Sequence, residues 1–87
     1  MEDVSLLSLQ ATLDDYYKWP APYMFKFITP MARVDELTGL FKGKPFKTRY
    51  SRTAKYVSVT AEWEMQSSEE VISFYREAKK IKGVIAL

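Results

Sequence analysis

PFKTRYSRTAKYVSVTAEWEM, residues 45–65, is the stretch on which the fold turns. In its second part every other residue is apolar: Val57, Val59, Ala61, Trp63 and Met65 alternate with Tyr56, Ser58, Thr60, Glu62 and Glu64. Successive side chains of a strand point to opposite faces, so a period of two predicts a strand over about 55–65 with one dry face and one wet face. Residues 46–51 make a shorter arm, joined to the longer one around Arg52 to Ala54. Pairing the arms about that turn places Lys47 and Arg49 on the wet side and Phe46, Thr48 and Tyr50 on the dry side.

Downstream, Ser67-Ser68-Glu69-Glu70 has the spacing of a capping box, in which the Ser67 hydroxyl accepts from the Glu70 amide. The helix that follows is predicted to run to about Lys80 and to bury Val71, Phe74 or Tyr75, Ala78 and Ile81. Glu69 and Glu70 lie at its positive end, and Lys79, Lys80 and Lys82 at its negative end. Gly83 is placed to end it in left-handed geometry, and Val84 to Leu87 make a last short strand.

Upstream, YMFKFIT at 23–29 is aromatic-rich and bounded by Pro22 and Pro30, which predicts a strand. Its continuous apolarity, broken by Lys26, predicts a central one. Thr29 before Pro30 reads as the cap of a short helix whose buried stripe is Val34, Leu37, Leu40 and Phe41. In the first eighteen residues, Leu6, Leu9, Leu13 and Tyr16 recur at the spacing of one helix face, and the prolines of WPAP stop that helix. From Tyr23 the order is β, α, β, β, α, β. Right-handed crossovers then give an α+β, ferredoxin-like sandwich: an antiparallel sheet of order 4-1-3-2 with two helices on one face. Residues 1–19 form a helical extension to a domain spanning 20–87.

Composition bounds the chemistry. Eighty-seven residues suffice for one core, and the thirteen aromatics can fill it without disulfides. There is no cysteine and no histidine, which removes thiol chemistry, imidazole catalysis and the usual zinc sites. No acidic run has the pattern of a calcium loop, so neither metal nor cofactor is expected. The chain opens on Glu2 and Asp3 without a basic leader, and no apolar run approaches the roughly 18 residues of a membrane span. A cytoplasmic protein is expected. The net charge is only +2, but Lys42, Lys44, Lys47, Arg49, Arg52 and Lys55 follow one another with no acid between them.

Pro22 to Ile28, Lys55 to Thr60 and Ile81 to Leu87, in this order and spacing, resemble the YbeD-like family of small bacterial proteins, domains of unknown function. The likeness covers residues 19–87. It implies a fold similar to that of ACT domains, regulatory modules that bind amino acids or pair with one another, and it carries over no catalytic residue.

The wet face is the candidate binding site, with Lys26, Lys47, Arg49, Tyr56, Ser58, Thr60 and Glu62 as its members. Lysine in the middle of a central strand is the unusual one. Against a binding role stands a plain solvated face, on which Lys26 pairs across strands with Glu62 for about 0.2–1 kcal/mol. Arg52 and Lys55 extend the basic stretch as a candidate anion-binding edge. A nucleic-acid role is the alternative, but base-stacking sheets need exposed rings on their central strands, and here Tyr56 is the only one on the wet side. Basic residues on an edge strand also serve to discourage pairing with other chains. Glu62 and Glu64 share a side but nothing separates their protonation, and Ser58 lacks a base, so an enzyme is not expected. The expectation is a non-enzymatic regulatory or interaction domain that binds a small anionic ligand, a protein partner or a second copy of itself.

Overall fold

A computed structural model describes residues 4–87, with side chains from Leu6 onward. The elements are α1 (Val4–Tyr16), β1 (Ala21–Pro30), a 3₁₀ turn (Met31–Arg33), α2 (Val34–Gly39), β2 (Lys47–Tyr50), β3 (Tyr56–Met65), α3 (Ser68–Lys79) and β4 (Ile85–Ala86). The four strands form one sheet of order β2-β3-β1-β4, which is β4-β1-β3-β2 counted from the other edge, and all neighbours are antiparallel.

The two long strands are the spine. β1 and β3 pair along their whole length, from Ala21 opposite Met65 to Pro30 opposite Tyr56. The alternation of β3 has the expected consequence, for Val57, Val59, Ala61, Trp63 and Met65 are all buried and Tyr56, Glu62 and Glu64 are exposed. β1 buries Ala21, Phe25, Phe27 and Thr29 on the same side. Over that side lie Leu37 and Phe41, then Val71, Ile72, Tyr75 and Ala78 of α3, then Leu6 and Leu13 of α1. All three helices therefore share one core with one face of the sheet.

Four local expectations are corrected. Thr29 does not cap a helix: Pro30 keeps an extended backbone (φ −57°, ψ 143°), so β1 continues through both residues and the first turn begins at Met31. Thr29 is fully buried, and its hydroxyl donates to Pro30 O at 3.1 Å. Phe46, Thr48 and Tyr50 do lie on the helix side, since Thr48 and Tyr50 are opposite Val59 and Val57, yet all three are exposed. α2 is only six residues long and leaves that edge uncovered. Tyr16 is exposed, and the stripe passes instead through Tyr17, four residues after Leu13 and bonded to its carbonyl at 2.9 Å, which packs against Trp19 and Tyr23. β4 is two residues, not four, with the Leu87 amide adding one more bond to Lys26 O at 2.8 Å.

At the start of α3 the Ser67 hydroxyl accepts from the Glu70 amide at 3.1 Å, as its spacing requires. Of the two candidate rings, Tyr75 is buried and Phe74 half-buried. The Tyr75 and Tyr23 hydroxyls share a hydrogen bond of 2.8 Å. Burial first, then that bond and the neighbouring charges of Tyr23 and Tyr17, hold the Tyr75 phenol well above the ordinary tyrosine range. A phenol raised in the folded state keeps its proton there after the unfolded chain has lost it. Its contribution is therefore present below the ordinary tyrosine pKa of about 10 and is lost as the pH rises past it. Denaturant unfolding should show stability falling above about pH 10, and Tyr75→Phe should flatten that fall. An equally steep fall in the variant would assign the effect to another group.

Candidate functional site on the uncovered face of the sheet

The strand register fixes what lies beside what on the face away from the helices. Lys26 is opposite Thr60, and Thr60 is opposite Lys47 on its other side, so two lysines flank one hydroxyl across three strands. In the next row Ile85, Ile28, Ser58 and Arg49 follow one another across all four strands. On the other side of the lysine row, Met24 is opposite Glu62, and beyond it Pro22 is opposite Glu64. Tyr56, opposite Pro30, closes the far end.

All seven predicted members of the face are thereby brought to one surface. Lys26 and Glu62 are not direct partners; they are diagonal neighbours, because the register sets Lys26 against Thr60. Arg52 and Lys55 stand apart from the rest, exposed in the turn between β2 and β3. That turn is held by the Ser51 amide donating to Tyr56 O and the Tyr56 amide donating to the Ser51 hydroxyl, while Lys55 O accepts from the Met31 amide.

The face is less polar than its β3 residues imply. Met24, Ile85 and Leu87 are more than half exposed, and Ile28 is partly so. With the Tyr56 ring they make an apolar band through the charged rows. Met24 and Ile28 belong to the apolar run of β1 that Lys26 interrupts, but Ile85 joins them only through the pairing of β4, which no local pattern announces. A shallow depression of ≈220 Å³ lies at the Arg49 end, lined by Ile28, Tyr50, Tyr56 and Ser58 among others. Charge is segregated along the strands, with Lys26, Lys47 and Arg49 towards one end and Glu62 and Glu64 towards the other. Among the described residues no three acidic side chains converge as a metal site would require, and no helix is long and apolar enough to cross a membrane. Tyr56 remains the only ring on the paired positions of this face, which is poor equipment for stacking bases.

No curated protein and no solved structure matches the chain. A family model described as "Protein of unknown function (DUF493)" matches residues 14–87, from the last turn of α1 through β4, and the YbeD-like resemblance agrees with it. The chain belongs to this family.

Proposed function

We propose that the protein is a non-enzymatic regulatory or interaction domain of ferredoxin-like, ACT-like kind, which works by pairing with a second copy of itself through the uncovered sheet face. The observation that carries this reading is the exposed band of Met24, Ile28, Tyr56, Ile85 and Leu87 set among segregated charges. A face that served only to meet water would gain nothing from these side chains, whereas contiguous apolar surface rimmed by charge is the composition of an interface. A two-fold axis lying in the plane of the face, perpendicular to the strands, would turn the partner end for end. The basic rows of Lys26, Lys47 and Arg49 of one copy would then face the acidic rows of Glu62 and Glu64 of the other, with the apolar side chains of the same rows buried between them. Such an assembly is a ready device for regulation, since any ligand that binds one association state better shifts the population towards it by that difference in affinity.

Sedimentation equilibrium across a range of concentrations tests the reading. The wild-type chain should associate, Lys26→Glu or Glu62→Lys alone should weaken association about tenfold or more, and the double exchange should restore part of it. A chain that stays monomeric at every concentration, or associates equally well with Lys26 reversed, refutes it.

A further inference from the structure

On the helix side, away from the face just described, a cavity of ≈370 Å³ opens between the turn that follows α2 and the outer surface of α3. Its apolar walls are Leu40, Phe41 and Phe74, and Lys42, Lys44 and Glu77 stand exposed around it. The turn brings both lysines there by an unusual route, for Lys42 and Gly43 are both left-handed (φ 50° and 85°), a conformation that costs a residue such as lysine about 1–2 kcal/mol. Lys44 Nζ is steadied over two rings, 5.2 Å from the centroid of Trp63 and 5.9 Å from that of Phe74. The Glu77 carboxylate is already paired with Lys80 Nζ at 2.8 Å. The surplus charge at the mouth is therefore positive, and it sits at the end of an apolar recess.

We propose that this cavity binds a small apolar monocarboxylate, an aliphatic or aromatic acid, with its hydrocarbon part against Leu40, Phe41 and Phe74 and its carboxylate held by Lys44 and Lys42. The volume is within the usual range for a small-molecule site, and a mostly apolar lining with few fixed polar groups is the usual composition of one. A charge-assisted contact to a lysine already held by aromatic rings loses little freedom on binding. One negative charge suits the site better than two, because the apolar walls offer a second charge nothing in return for its lost hydration.

Octanoate is the probe, with octanamide as its uncharged counterpart, and amide chemical shifts of the full chain are the readout. Octanoate should move the resonances of residues 39–44 and 73–77. Octanamide should bind about tenfold more weakly or worse, and Lys44→Met should reduce octanoate affinity by a similar factor. Ser73→Phe, at an exposed position of α3 that lines the cavity, should block binding while leaving the rest of the spectrum in place. The proposal is overturned if octanoate causes no shifts, if its shifts fall elsewhere, if octanamide binds equally well, or if Lys44→Met binds octanoate like the wild type. None of these results depends on whether the sheet face self-associates, since the two surfaces lie on opposite sides of the sheet.

Discussion

Phe25→Ala is expected to cost about 3–5 kcal/mol of stability, the range for emptying a fully buried phenylalanine site. Small domains have only about 5–15 kcal/mol in all, so the variant should lose a large fraction of its stability. The size of the effect follows from position. Phe25 has no exposed surface and lies in the middle of β1, and its ring meets those of Tyr23, Phe27, Trp63, Phe74 and Tyr75 at centroid distances of 5.0 to 6.0 Å. Directly across the ladder stands Ala61, the smallest of the buried residues on β3. A small residue opposite a large one is how facing positions fill a layer without strain. Removing the ring leaves two alanines facing each other beneath Phe74 and Tyr75 of α3. Urea denaturation measures the loss, and Phe25→Leu should recover more than half of it. A loss under about 1 kcal/mol for the alanine variant would mean that the ring is not the centre of the core.

Gly83→Ala is expected to cost about 2–3 kcal/mol, the left-handed backbone supplying about 1–2 of these. Gly83 has φ 86°, and a β-carbon there would lie 2.7 Å from Pro30 Cγ and 3.2 Å from Cδ. A proline ring cannot swing away as the end of a lysine can, and this one is fixed to the last residue of β1. To make room, the chain after Gly83 must lift from the sheet, which would loosen the pairing of Phe27 with Ala86 and Ile28 with Ile85. Gly43 provides the control. Its φ is nearly the same, 85°, but a β-carbon there would meet nothing within 4 Å, so Gly43→Ala should cost only the backbone part, about 1–2 kcal/mol. Thermal unfolding of the two variants separates conformational strain from collision, and equal losses would show that Pro30 yields.

β3 was legible residue by residue because its alternation reports one local fact, the pleat, and a layer covers it along its whole length. The cap at Ser67 was legible for the same reason, and so was the left-handed geometry of Gly83, although α3 already ends at Lys79 with Lys80 still right-handed and Gly83 closes the turn that follows it. Phe46, Thr48 and Tyr50 mark the boundary: alternation told which face they take but not whether a helix reaches over them, and α2 stops short. At Thr29-Pro30 two local readings were available, cap or strand, and pairing with β3 decided for the strand. For the candidate site, the polar members of the sheet face came from period and pairing alone. Its apolar half did not, because Ile85 reaches it from a strand of two residues, and the cavity by Lys44 joins segments from two distant parts of the chain.

The arrangement of the ladders also bears on how the chain finds its fold. β2 and β3 close over a short turn, so their pairing requires little loop entropy. Yet that hairpin arm is exposed along its whole length and is the most basic strand of the sheet, and offers little burial on its own. The rewarding pairing is β1 with β3, and even its nearest rung joins Pro30 to Tyr56 across α2 and the whole of β2. Early contacts are thus weak ones, and the strong ones wait for a distant segment to arrive. For a chain built this way the search for one long-range encounter sets the pace of folding, and little of the core can assemble before it.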